Sequence, residues 1–201
     1  MPGDSGCIKR HREKEEICLK LQFITSNMHK FNEISAYLKE SGIECQWVKR
    51  TYEEIQAETT EEVSVDSARK LSGEISQKFF LEDTGLYIQS LKGFPGPYSS
   101  YVFKTIGNQG ILDLLLNKER AAYFLTVISY FNGKEILTFT GKQQGTISME
   151  ERGRTGFGYD PIFIPSGCEK TLGEMSIGEK NKHSHRIKAL ENFIDSVEIE
   201  D

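Results

Sequence analysis

The stretch ICLKLQFITSNMHKFNEISAYLKESG, residues 17–42, constrains the fold more than any other part of the chain. Leu19, Leu21 and Phe23 alternate with polar positions and stop at Thr25-Ser26-Asn27, which predicts a strand over residues 17–26. Asn27 stands where a helix cap belongs. Phe31, Ile34, Tyr37 and Leu38 then share one helical face before Gly42 ends it. A strand that enters a helix through a short polar turn exposes unpaired N–H groups at the positive helix end, an arrangement suited to an anion. Thr25, Ser26 and Asn27 bring hydroxyl and amide groups to that turn, and Lys30 adds a cation one turn on. Together they suit phosphate oxygens, with a plain helix cap and an exposed lysine as the simpler alternative. The glycine spacings of a P-loop or a dinucleotide fingerprint are absent.

The rest of the chain continues the alternation of patterns. ECQWVKR (44–50) predicts a second strand, and a helix follows from about Thr60. KFFLEDTG (78–85) reads as a short buried strand ending in two acids. The segment from Leu86 starts as a strand, breaks at a Gly/Pro loop and turns helical. Two strands then flank Asn132-Gly133, a hairpin signal, and Ser184 can cap a last helix with Ile187, Leu190 and Ile194 inward. Early strand–helix units plus a central hairpin predict an α/β fold, a mixed β-sheet with flanking helices. With 201 residues, 37% hydrophobic and 27% charged, the chain suits one sizeable domain or two lobes sharing a core. Residues 1–16 are polar, lack the apolar core of a signal peptide and read as a loose tail, leaving 17–201 as the domain. The net charge of −5 argues against a nucleic-acid partner, and no apolar run approaches the roughly 18 residues of a membrane span. Cys7, Cys18, Cys45 and Cys168 are widely spaced, as expected for reduced thiols in a cytoplasmic protein.

Three further segments carry candidate chemistry. In LEDTG, Glu82 and Asp83 follow the apolar run 79–81. Burying such a pair without a counter-charge is expensive, so the pair implies a divalent cation, a basic partner or exposure. Mg²⁺ takes one or two carboxylates plus water and phosphate oxygens, and Glu53, Glu54 or Glu58 could supply another ligand. In GEKNKHSHR, Lys180, Lys182, His183, His185 and Arg186 crowd about a helix start, where cations are unfavourable. A bound polyanion would relieve that conflict, the alternative being a solvated basic turn. Zinc held by His183, His185 and Cys168 is a weaker idea, since no typical ligand spacing supports it. In GFGYDPIFIPSG (156–167), Phe157 could stack on a flat base while Asp160 reads its edge or braces the loop; a core aromatic between turn glycines is the plainer reading.

In order, FITSNMHKFNEI, FLEDTGLYIQSLKGFPGPYSSYVFKTIG, GFGYDPIFIPSG and TLGEMSIGEKNKHSHRIKAL closely resemble the inosine/xanthosine triphosphate pyrophosphatase family, over residues 19–194. The resemblance implies two lobes around a central nucleotide-binding cleft, a homodimer, a Mg²⁺ cofactor, and hydrolysis of ITP, dITP or XTP to the monophosphate and pyrophosphate. It also implies roles. Thr25, Ser26, Asn27, Met28, His29 and Lys30 would hold phosphates. Asp83 would be the catalytic acid residue and, with Glu54, a metal ligand, and Thr84 would touch substrate. Phe157, Gly158, Tyr159, Asp160, Lys180, His185 and Arg186 would bind nucleotide. The family's helix lysine falls here near Ser67, with Arg69 or Lys70 as possible substitutes. Two other readings remain: a non-catalytic nucleotide sensor on the same fold, or a related pyrophosphatase for modified pyrimidine nucleotides.

Overall fold

A computed structural model describes residues 20–196. The expected tail, the start of the first strand at 17–19, and Cys7 and Cys18 lie outside the described residues. Strand β1 (Lys20–Ile24) leads into helix α1 (Met28–Glu40), then β2 (Glu44–Val48) and α2 (Thr60–Ser72). Next come β3 (Phe79–Ile88), β4 (Pro95–Gly96), α3 (Ser99–Leu114), β5 (Ala121–Phe131), β6 (Ile136–Ile147), β7 (Phe163–Pro165), α4 (Ile177–Asn181) and α5 (His185–Ser196). Six strands line up in the order β2-β1-β3-β5-β6-β7, and β4 pairs with β3 off this path. The β1 pairings with β2 and β3 are parallel and the others antiparallel, so the sheet is mixed, as the pattern predicts.

Period-two alternation assigns each strand residue to a face. Phe23 and Phe80 are register partners on β1 and β3, and their rings stack at 4.7 Å. With Ile128 they pack under Ile34 and Leu38 of α1 and Ile187, Leu190 and Phe193 of α5. The α5 core face thus includes Phe193 as well as the expected Ile187 and Leu190, while Ile194 is partly buried against the same cluster. On the other face, Phe79 and Leu81 join Ile24, Phe131 and the α2 residues Ala68 and Leu71. A third cluster gathers Leu86, Ile88, α3 and the segment around β7.

Strand β3 corrects one expectation. It is ten residues long, paired with β5 from Phe79↔Phe131 to Ile88↔Ala122, so Glu82 and Asp83 lie in its middle and not at its end. The unbroken ladder satisfies the backbone there, so the acids need no loop to be tolerated. Alternation then separates them. Glu82 shares the α1/α5 side with Phe80, and Asp83 shares the α2 side with Phe79 and Leu81.

The helix ends follow local chemistry. Asn27 caps α1 through its Oδ1, which accepts from the N–H groups of His29 and Lys30 at 2.9 and 3.3 Å. Thr59 and Glu62 form a reciprocal capping box on α2. The Ser184 hydroxyl accepts from Ile187 N–H at 3.2 Å at the start of α5. Helix α5 lies close on β6 because residue 141 is glycine: a Cβ there would sit 2.1 Å from the His185 carbonyl oxygen. That contact fixes the height at which His185 and Arg186 enter the site.

Candidate active site

A cavity of about 650 Å³ opens where the β1–α1 turn, the middle of β3, the start of α3, the loop at 157–160 and the first turn of α5 meet. Its volume lies within the usual range for a small-molecule site. Thr25, Ser26, Asn27, His29 and Lys30 line it from the first turn, and Asp83 and Thr84 from the sheet. Glu54 enters from the irregular segment between β2 and α2. Phe157, Gly158, Tyr159, Asp160, Lys180, His185 and Arg186 complete the wall. Met28 is the exception among the expected contacts. It stands 55% exposed outside the lining, because the 100° step per helical residue turns it away from its neighbours. Glu53 and Glu58 also stay outside this cavity.

Asp83 is the most perturbed acid in the cavity. Its Oδ2 is buried without a hydrogen-bond partner. Burial pushes its pKa up to about 7; Lys30 opposes the rise, and the nearby Glu54 and Glu82 add to it. A buried carboxylate oxygen with a free lone pair beside a second carboxylate is a donor set that fits a hard divalent cation. Among the described residues no group of three or more His, Cys, Asp or Glu could cage a metal. Asp83 and Glu54 offer two carboxylates, the number Mg²⁺ takes when phosphate and water fill its other positions.

Three of the cations lining the site, Lys30, Arg186 and Lys180, form an ordered chain with three carboxylates. Lys30 Nζ lies 3.0 Å from Glu82 Oε1, and Arg186 Nε is 3.1 Å from the same oxygen. Arg186 continues to Glu33 through its Nη1. Glu33 Oε1 receives Lys180 at 2.6 Å, and Lys180 reaches Asp160 Oδ2 at 2.8 Å. Charge conflict at the start of α5 is thus relieved from within, by Glu33 and Glu82, and the solvated-turn reading does not hold for Lys180 or Arg186, which are buried. For Glu82, burial works upward, but Lys30 and Arg186 outweigh it and hold the carboxyl at about 2. Burial likewise works against Glu33, and Arg186 and Lys180 hold its pKa below the usual value. Glu33 is the participant that sequence reasoning missed. Its only signal is its place one turn after Lys30, with Asn27 capping the same helix.

The loop at 156–160 answers its own sequence puzzle. Asp160 is buried, and its Oδ2 accepts from Phe157 N–H at 2.7 Å as well as from Lys180. Gly156 has φ +78°, and a Cβ there would lie 2.1 Å from that same oxygen. Glycine is therefore required by the carboxylate that folds beneath the loop. Tyr159 anchors the far side, its hydroxyl donating to Ser99 O at 2.9 Å.

A second polar line runs beside the chain. Thr84 Oγ1 donates to Glu82 Oε2 at 2.7 Å and lies 2.6 Å from Thr126 Oγ1, which is 2.6 Å from His185 Nδ1. His185 is buried against Phe124, its ring 4.5 Å away. Burial first, then Arg186, drives its pKa well below the ordinary imidazole value, so it is neutral. His183 sits elsewhere, with Nε2 3.4 Å from Cys168 Sγ, so the two histidines do not converge on one metal. Nor does α2 bring a cation to the cavity. Ser67 is buried, and Lys70 pairs with Asp66 at 2.9 Å on its own helix. Tyr52, Ser100, Phe103 and Lys104 also line the cavity. For the last three, the i, i+3 and i+4 spacing along one helical face was the available signal.

The model of the Ham1 family matches residues 21–196. A Pyrococcus horikoshii protein named dITP/XTP pyrophosphatase is 50% identical over 182 residues, spanning 90% of this chain and 98% of that protein. A Thermococcus kodakarensis protein of the same name is 49% identical over 176 residues, spanning 87% and 95%. The solved HAM1 protein from Coxiella burnetii superposes with a TM-score of 0.76 at 29% identity, covering 87% of this chain and 96% of that one.

Proposed function

The chain belongs to the Ham1 family, and on that premise we propose that it hydrolyses the non-standard purine nucleoside triphosphates ITP, dITP and XTP to the monophosphate and pyrophosphate. The observation that carries the reading is Asp83, a carboxylate with an unpartnered buried oxygen on the floor of a cavity that also holds Glu54 and Lys30. Described residues 20–196, in this reading, form one two-lobed pyrophosphatase domain, acting as a homodimer in the cytoplasm. No helix among them is long and apolar enough to cross a membrane.

Water attacks the α-phosphorus; its oxygen forms the new P–O bond, and the bond to the bridging oxygen breaks to release pyrophosphate. Asp83, whose Oδ2 is buried without a partner on the cavity floor, takes the water's proton. Glu54 and Asp83 would hold Mg²⁺, which when bound supplies charge neutralisation on the phosphate oxygens. The Thr25 and Ser26 hydroxyls receive phosphate oxygens beside the start of α1, and Lys30 brings a cation already oriented by Glu82. Phe157 offers its ring to the purine. Lys180 and Arg186 stand within 5.5 Å of that ring's centre and supply donors for a 6-keto acceptor. Adenine presents an amino donor at that place and leaves both sides unpaired, a mismatch that polar sites reject by up to roughly 10⁴-fold.

The test is a turnover panel with Mg²⁺ over ITP, dITP, XTP, ATP and GTP, resolving pyrophosphate from orthophosphate. The expected result is pyrophosphate release with much higher kcat/KM for the first three. Equal values for all five, or orthophosphate as the product, would sink the reading.

A further inference from the structure

His29 follows the cap of α1, where a phosphate contact would be expected, yet its ring lies on Phe157. The two ring centres are 5.1 Å apart and the planes 17° from parallel. Lys180 Nζ and Arg186 Cζ are also within reach of the same ring, at 5.0 and 5.5 Å from its centre. These cations are buried and tied to carboxylates, whereas His29 is exposed at the rim. A keto purine must meet its donors beside Lys180 and Arg186, so it takes the Phe157 face they border.

We propose that His29 is a positioning residue that acts through Phe157, backing the ring on the side away from the base and joining the phosphate-binding turn to the base wall. The inference rests on the pyrophosphatase reading above. Phe157 needs such support. It stands between Gly156 and Gly158, whose φ values are +78° and +61°, and its N–H bond to Asp160 holds the backbone and not the half-buried ring. His29 can give it, because its own N–H is held by Asn27 Oδ1 and the next residue is Lys30. A nucleotide touches both ends of this link. Holding the two ring planes parallel sets the distance between base and phosphates, and so the position of the α-phosphorus. The ring is what matters at position 29, and a positive charge there contributes nothing to phosphate binding.

Steady-state ITP hydrolysis by the wild type, His29→Ala, His29→Phe, His29→Lys, Phe157→Ala and the His29→Ala/Phe157→Ala double variant tests this. His29→Ala is expected to raise KM for ITP about three- to tenfold, the worth of one aromatic pair, with the loss carried by KM rather than kcat. His29→Phe restores most of it and His29→Lys does not. In the Phe157→Ala background His29→Ala adds nothing further. Inorganic tripolyphosphate, used as a competitive inhibitor, keeps its Ki in His29→Ala. Rescue by lysine alone, a weakened tripolyphosphate Ki, or additive effects in the double variant would each overturn the proposal. A wild type that turns over none of ITP, dITP and XTP overturns the functional reading, and this proposal with it.

Discussion

Asp83 gathers unfavourable features that only a function explains. Its Oδ2 has no partner, and Glu54 and Glu82 both work against its ionisation. The sign of its effect on stability follows. The unfolded carboxyl ionises near 3.8, whereas the folded one keeps its proton up to about 7. Stability is therefore lost as pH rises from 3.8 through about 7. Asp83→Asn removes that cost along with the base. The expected outcome is a kcat for ITP about 10²- to 10⁴-fold lower, together with a Tm in EDTA above that of wild type at pH 8. At pH 4 the two Tm values draw together. A Tm difference that ignores pH would show that burial does not hold the proton on Asp83.

At the scale of elements, the loop at 156–160 and the first turn of α5 behave as prepared supports. Asp160 spends Oδ2 on Phe157 N–H and Lys180, which argues for bracing over edge reading. Asp160→Asn is accordingly expected to lower kcat/KM for ITP and GTP by similar factors, leaving their ratio intact. A shifted ratio would assign Asp160 to the base edge. His185 is held neutral by burial and by Arg186, while the unfolded chain takes up a proton below pH 6.5. Its contribution to stability is therefore complete above 6.5 and is lost as pH falls below that value. His185→Gln should flatten the fall in urea midpoint between pH 7 and 5, measured against wild type. The strand–turn–helix opening, the hairpin at Asn132-Gly133 and the start of α2 were all legible in the sequence, because each rests on local capping or turn chemistry. The length of β3 was not. Its continuation past Asp83 depends on pairing with β5 some forty residues on, and no local signal marks a strand that runs through two acids.

Across the whole molecule, the chain Lys30–Glu82–Arg186–Glu33–Lys180–Asp160 links α1, β3, α5, α4 and the base loop. Sequence reasoning brought its cations to the site, but the carboxylates that hold them lie 147 and 153 residues away for Glu33, beyond any motif. The cations are thus set in place before a nucleotide arrives, which spares reorganisation when negative charge develops. The same arrangement makes single substitutions costly. Removing Arg186 leaves the buried Glu82 and the part-buried Glu33 with Lys30 and Lys180, respectively, as their remaining ion-pair partners among the described residues. Arg186→Met should cost about 3–5 kcal/mol in urea unfolding at pH 7, the range for breaking a buried pair. Glu33→Gln alone should also destabilise, since it leaves Arg186 and Lys180 short of a counter-charge. Added to Arg186→Met, however, Glu33→Gln removes a carboxylate that has lost one of its two cations, and the second substitution is expected to be nearly free. Equal costs for Glu33→Gln in the two backgrounds would mean that the chain is a row of independent pairs, each stabilising its own element and transmitting nothing between the base loop and the catalytic strand.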